Sequence, residues 1–167
     1  MSVIEALVQE LEQEAQTTKR VLERVPGHRL GWKPHEKSMS LGQLALHVAT
    51  IPGFLAEAAV NSPFQVPGFV QPSAESSAEL LPALEQSVAK AKEILGGMKD
   101  SQLADSWRAV DGDKEILVIP VGAVLRTIML NHWYHHRGQL SVYLRELDVP
   151  VPSIYGPSAD ENPFTVG

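Results

Sequence analysis

The chain has 167 residues, 44% hydrophobic and 20% charged, a composition typical of one globular domain that spans residues 1–167. Its 14 basic and 20 acidic side chains give a formal charge of −6 without a basic stripe, which excludes nucleic acid and anionic membranes as expected partners. The absence of cysteine excludes disulfides and a thiol nucleophile supplied by the protein, and is compatible with a cytoplasmic location. Because no uninterrupted apolar run approaches ~18 residues, we expect no membrane span.

Two amphipathic helices are predicted in the first third of the chain by apolar residues at three-four spacing. The first runs from about Val3 to Val25. The second begins at Ser40, which is predicted to form a capping box with Gln43, and it carries His47 on its apolar face. Pro52, followed by glycine, interrupts the second helix, so a kink or a break is expected there.

Two further helices follow a proline- and serine-rich link at residues 61–76. Fully extended, this link could span ~50 Å, which is longer than a 20-residue helix of ~30 Å. The third helix is predicted from about Ser77 to Met98, and the fourth from after Pro120 to about Leu147. The pattern of residues 107–119, which connect these two helices, predicts a short β-hairpin. The proline-rich tail from Asp148 is expected to form an irregular strap over the helices. The expected fold class is therefore an all-α four-helix bundle.

Three histidines on predicted inner faces are the main functional signal. His132 and His136 are four residues apart and share one face of the fourth helix, while His47 lies on the apolar stripe of the second. A single histidine in such a position is more often a core residue whose ring nitrogens are hydrogen-bonded. Three buried imidazoles without partners would each cost ~1–3 kcal/mol, and one shared cation would satisfy them all. We therefore predict a divalent-metal site at His47, His132 and His136.

The neighbouring polar residues are assigned secondary roles. His135 lies ~100° around the helix from the inward position, so we expect it beside the site or on the surface. Arg137 is interpreted as a structural ion pair or a dimer contact in preference to an anion-binding group. Gln139 fits either a hydrogen bond to a ligand histidine or a role in helix packing. His28 and His35 are expected in a solvated loop.

The type of ligand narrows the choice of metal. Neutral imidazoles suit Zn²⁺, Ni²⁺, Fe²⁺ or Cu²⁺ and suit Mg²⁺ or Ca²⁺ poorly. A di-iron carboxylate site would need inward glutamates, and a zinc protease would need Glu in the place of Trp133, so neither class fits. Closed structural zinc sites usually have four protein ligands, whereas three leave positions open for water or substrate. A three-histidine site is therefore typical of catalysis.

The segments around these histidines resemble the DinB-like (damage-inducible) family of metal-dependent enzymes. The matching segments are Leu44-Ala45-Leu46-His47 after the Ser40 cap, His132-x-x-x-His136-Arg137-Gly138-Gln139-Leu140, Tyr143-Leu144-Arg145, the stretch Val25 to Pro34, and Ile154-Tyr155-Gly156-Pro157-Ser158. The resemblance covers nearly the whole chain. It implies an up-down-down-up order of the four helices, a divalent metal (Zn, Ni or Fe) on His47, His132 and His136, and a homodimer.

Four functions stay open at this point. Characterised members of the family include thiol-dependent transferases and isomerases, so the resemblance implies an enzyme that acts on a small-molecule substrate with a low-molecular-weight thiol. A metal-dependent hydrolase would need an inward carboxylate base, for which Glu57 is the candidate. The third possible function is that of a non-enzymatic metal-binding stress-response protein. The fourth possibility is a bundle whose histidines bind nothing. The transferase hypothesis predicts a cleft near His136. The hypothesis of a non-enzymatic binding protein predicts no substrate-sized pocket there.

Overall fold

Four long helical segments make up most of the chain, as expected. The computed structural model describes residues 1–66, 68 and 70–164, so Pro67 and Phe69 of the predicted link, and residues 165–167, lie outside the described residues. The elements are α1 (Val3–Leu22), α2 (Leu41–Val60), α3 (Leu80–Gly96), α4 (Val121–Ala123), a π-helix (Val124–Asn131) and α5 (His132–Glu146). The last three are continuous and form the predicted fourth helix.

Capping interactions explain where the first two helices begin. Ser40 accepts a hydrogen bond from the Gln43 N–H, and the Gln43 side chain accepts one from the Ser40 N–H, which confirms the predicted capping box. Ser2 and Glu5 form the same arrangement at the start of α1. Each box satisfies backbone donors that the first helical turn leaves without partners.

A small three-stranded sheet packs beside the helices, in the order β1–β2–β3. The predicted hairpin is confirmed: β2 (Ser106–Asp111) and β3 (Lys114–Pro120) are antiparallel, and Gly112 in the turn has a φ of 58°, which favours glycine. The two-residue strand β1 (Phe64–Gln65) was not predicted, and it pairs parallel to β2. The predicted all-α bundle with one short hairpin therefore lacked one strand, because a strand as short as β1 has no sequence periodicity of its own.

The core forms where α2 packs against α3 and α5, and α1 packs against α3. Helix α2 contributes many of the fully buried apolar side chains, including Leu41, Leu44, Ala45, Val48, Ala49 and Ile51. By length and composition alone α2 could cross a membrane, but more than half of it is buried inside this fold, as is common for the core helix of a globular protein.

Helix α2 continues through Pro52, so of the kink or break that was predicted there, the break does not occur. Proline lacks the N–H that would bond to the carbonyl four residues earlier, at Val48. The Trp133 indole N–H donates to that Val48 oxygen at 2.8 Å. The next N–H, that of Gly53, donates to Ser87 Oγ at 2.8 Å, and Ser87 Oγ donates in turn to the Thr50 carbonyl. Side chains of neighbouring helices thus satisfy the backbone groups around the proline.

The C-terminal tail is the irregular strap that the prolines predicted. It starts at Asp148, whose φ of 57° turns the chain away from α5. Glu161 of the tail forms ion pairs with Arg20 of α1 and with Arg24 just after that helix, and Asp160 pairs with Arg145 of α5. These contacts hold the strap against the bundle.

Candidate metal centre

The three predicted ligand histidines come together between α2 and α5. His47 Nε2 lies 3.2 Å from His132 Nε2. The His136 ring centroid is 4.6 Å from that of His47 and 4.3 Å from that of His132. One ring nitrogen from each of the three residues lies within 4.8 Å of the corresponding nitrogens of the other two. This group could hold a metal ion.

The helix that carries two of these histidines is not regular. A π-helix occupies Val124–Asn131 and ends immediately before His132, where α-helical hydrogen bonding resumes. A π-helical segment changes the angular relation between the residues before and after it, and such segments occur frequently at functional sites. The uniform α-helix predicted across this region was therefore wrong in its first half, and no residue in the segment signals the change.

Gln139 fixes the orientation of the His136 ring. Its Oε1 lies 2.6 Å from His136 Nδ1, and an amide oxygen accepts hydrogen bonds, so Nδ1 carries the proton. This tautomer leaves the lone pair of Nε2 free for a metal. Hydrogen bonding of the second ring nitrogen is common for metal-ligating histidines. Of the two roles considered for Gln139, the structure shows the hydrogen bond to histidine.

The electrostatics of the cluster keep the imidazoles neutral. Burial, followed by repulsion from neighbouring imidazoles, lowers the pKa of His47 from 6.5 to about 4. The same two causes lower the pKa of His132 to about 4. Burial also lowers the pKa of His136, although its bond with Gln139 opposes the shift. Neutral imidazole is the form that binds metals, so the residues fit a divalent transition metal at neutral pH.

The other histidines stay out of the cluster, as predicted. His135 is exposed, with its ring 4.9 Å from that of His136, and it is not part of the group that could hold a metal. His28 and His35 are also exposed, in the segment that precedes α2.

The carboxylate predicted for hydrolysis is not at the site. Glu57 is exposed and pairs with Lys90 of α3 at 2.7 Å, because it lies on the side of α2 that faces that helix. Within the part of the chain that the structure describes, the three-histidine group includes no carboxylate. Glu57, the candidate base of the hydrolase alternative, is therefore not part of the three-histidine group.

A cleft of about 370 Å³ lies directly beside His47. It is formed by one face of α2 and by the link that follows it, and its described lining residues are His47, Thr50, Ile51, Phe54, Leu55, Gly68, Val70, Gln71 and Pro72. The volume is within the range of about 300–1,000 Å³ that is usual for small-molecule sites. The transferase hypothesis predicted a cleft near His136; the structure places it against His47.

Arg137 supports the site from the buried side of α5. Its side chain is 1% exposed and forms an ion pair with Glu14 of α1 at 2.6 Å. Its guanidinium also donates to the Glu14 carbonyl and to Thr18 Oγ1, and it bonds the Tyr155 hydroxyl of the tail. The predicted structural ion pair is confirmed within the chain. It anchors α5, next to His136, to both α1 and the tail.

Trp133 is a supporting residue that the sequence analysis did not identify. It is fully buried, and its bond to Val48 joins the residue after His132 to the residue after His47. The signal was present in the sequence, since Pro52 leaves the Val48 carbonyl in need of a donor. Finding the donor, however, requires knowledge of which helices pack together.

A helical bundle with a small sheet and a three-histidine group between two helices is compatible with a metal-binding protein. The chain belongs to the DinB family, whose family model matches residues 1–163. The uncharacterized protein YrdA from Bacillus subtilis is 25% identical over 149 residues, which cover 89% of this chain and 85% of YrdA.

Two solved structures share the fold. A DinB-like protein from Bacillus cereus has a TM-score of 0.70 and 23% identity, over 92% of this chain and 98% of that one. The DinB-like protein YjoA from Bacillus subtilis has a TM-score of 0.66 and 21% identity, over 89% of this chain and 96% of that one. At this identity the likeness concerns the fold alone.

Proposed function

We propose that this protein is a metal-dependent enzyme of the thiol-dependent transferase type. One observation carries the proposal: three neutral imidazoles within reach of one ion, with a substrate-sized cleft against one of them. We propose a thiol as cosubstrate because the family that the chain resembles includes thiol-dependent enzymes. Because the chain has no cysteine, a low-molecular-weight thiol would have to come from a cosubstrate.

His47, His132 and His136 would hold the ion, which we propose is Zn²⁺, Ni²⁺ or Fe²⁺ because these accept nitrogen ligands. A bound divalent ion would supply Lewis acidity, which lowers the pKa of a thiol and makes a thiolate nucleophile available near neutral pH. Three protein ligands leave positions open for that thiol. Gln139 holds His136 in the productive tautomer. The apolar wall of α2 beside His47 limits access of water to the reacting group.

The alternatives have less support. Hydrolysis needs a base to activate water, and Glu57, the candidate, is engaged by Lys90. A non-enzymatic metal-binding protein has no use for a 370 Å³ cleft beside its metal ligands. A bundle with unoccupied histidines would bring three imidazoles together, and in return they would gain only the contact between His47 and His132 and the bond from His136 to Gln139.

The order of the helices in the bundle and the oligomeric state of the protein are proposals that rest on the family resemblance. We propose the up-down-down-up order of helices, which the length of the 61–76 link permits. A homodimer and a cytoplasmic location are likewise predictions that rest on the resemblance and on composition.

The proposal is tested by calorimetric titration of glutathione, bacillithiol and mycothiol into metal-loaded protein purified without a histidine tag. We expect one of these thiols to bind the loaded protein, and binding to disappear after chelation or in His132→Ala. His135→Ala is the matched control and should bind the thiol as the unaltered protein does, because His135 is exposed and outside the cluster. Metal binding without affinity for any thiol would contradict the transferase function.

A further inference from the structure

We propose that the cleft beside His47 binds an uncharged, apolar alkyl or aryl group of the second substrate, and that Phe54 determines this specificity. The inference rests on the proposed function, since it assigns the cleft to the molecule that the thiol would attack. The charged parts of the thiol cosubstrate would lie outside the cleft.

The chemistry of the cleft wall supports an apolar occupant. None of the described residues that line it is charged. Its apolar members come from α2 and from the link, and they are Ile51, Phe54, Leu55, Val70 and Pro72. A carboxylate or ammonium placed against such a wall would lose its hydration without gaining a partner. An alkyl or aryl group gains free energy in proportion to the apolar area that it buries.

The polar groups in the cleft are restricted in what they can bind. Thr50 Oγ1 donates its hydrogen to the Leu46 carbonyl at 2.9 Å, so towards a ligand it can only accept a hydrogen bond. His47 is neutral and is one of the three clustered histidines. Neither group can neutralise an anion. Gln71 of the link, the third polar side chain of the described lining, carries no charge either.

The helix sets the distance between the two ends of the cleft. Phe54 follows His47 by seven residues, so the two share a face of α2 and are separated by ~10 Å along its axis. A substrate with its reactive atom near the histidines would extend an aryl group, or a short alkyl chain, along α2 to Phe54.

Phe54 has the exposure and support expected of a binding residue. Its side chain is 50% exposed. Its ring makes an edge contact with Phe64 at 6.2 Å, and Phe64 stacks on the buried Trp107. The aromatic contacts hold the Phe54 ring in position while leaving much of it free for a ligand.

The test measures binding of N-phenyl-1-naphthylamine, a neutral aryl probe, by fluorescence, with metal-loaded and with metal-free protein. The unaltered protein and Phe54→Leu should bind it with affinities within about threefold of each other. Phe54→Lys should weaken binding by at least about tenfold, because it places a charge where apolar area was buried. Val142→Lys is the control, because it places the same charge at an exposed apolar position on a different helix, α5; it should leave the affinity for the probe unchanged.

The probe requires neither metal nor thiol, so the two proposals fail separately. Loss of thiol binding with retained probe binding contradicts the proposed function alone. Equal probe binding by Phe54→Lys and the unaltered protein, or no probe binding at all, overturns the cleft assignment alone. A second comparison does not depend on any variant: 1-naphthylacetate, an anionic aryl compound, should bind at least about tenfold more weakly than the neutral probe. Equal or tighter binding of the anion also overturns the assignment.

Discussion

The indole N–H of Trp133 donates a hydrogen bond of 2.8 Å to the carbonyl oxygen of Val48. Pro52 leaves this carbonyl without its usual helical donor. Trp133 directly follows His132, and Val48 directly follows His47. One hydrogen bond, available because of one proline, therefore connects the two helices that carry the clustered histidines, one residue away from His132 and His47.

Replacing Trp133 with phenylalanine should destabilise the protein by about 1–3 kcal/mol because the buried Val48 carbonyl loses its donor, and further because the smaller ring leaves a cavity at this fully buried position. The measurement is urea denaturation of the metal-free protein. Since the bond also positions His47 and His132, metal affinity should fall in parallel.

Pro52→Ala provides the internal control for this effect. Alanine restores an N–H four residues after Val48, so the cost of Trp133→Phe should fall by about 1 kcal/mol in the Pro52→Ala background. Equal costs in both backgrounds would show that Trp133 stabilises the helix pair through packing and not through this bond.

Arg137→Ala should destabilise the protein by about 3–5 kcal/mol, since it leaves Glu14 largely buried without its cation. Arg145→Ala, on the same helix, removes an exposed ion pair with Asp160 and should have a much smaller effect. Thermal denaturation of both variants makes the comparison. Similar losses from the two variants would mean that the Arg137 network contributes no more than a surface pair.

Gln139→Ala should weaken metal binding by about tenfold, because His136 loses the bond that fixes its ring and tautomer. Gln139→Glu retains an acceptor at the same distance and should bind metal at least as tightly as the unaltered protein. Affinity is measured by competition with a zinc chelator. If Gln139→Ala binds as tightly as Gln139→Glu, the hydrogen bond has no role in the site.

The stability of metal-free protein should fall as the pH is lowered from 6.5 towards 4. In this window the unfolded chain takes up protons at His47 and His132, whereas the folded chain, in which burial lowers both pKa values to about 4, does not. Stability from these groups is therefore complete above pH 6.5 and is lost below it. Denaturation midpoints across this range should depend less steeply on pH in His132→Ala. Equal slopes would contradict the lowered pKa values.

The sequence predicted the features that depend on local pattern. The four helices, the Ser40–Gln43 capping box and the hairpin near 107–119 follow from periodicity, cap residues and turn residues, and the structure confirms them. The grouping of His47, His132 and His136 was also predictable, because all three replace apolar residues on inner faces.

The remaining features depend on which elements pack together. The π-helix before His132 and the two-residue strand β1 have no sequence signal of their own. The continuity of α2 through Pro52 requires partners on two other helices: Trp133, which donates to the Val48 carbonyl, and Ser87, which accepts from the Gly53 N–H. The side of α2 that Glu57 occupies is determined by where α3 packs, so the periodicity of α2 alone could not exclude Glu57 from the site.

We propose that His47, His132 and His136 bind one divalent metal ion. The most direct test is elemental analysis of tag-free protein after loading with Zn²⁺ and removal of free metal. We predict one metal ion per chain in the unaltered protein and in His135→Ala, and none in His132→Ala. Absence of metal from the unaltered protein, or one equivalent retained by His132→Ala, would contradict the claim.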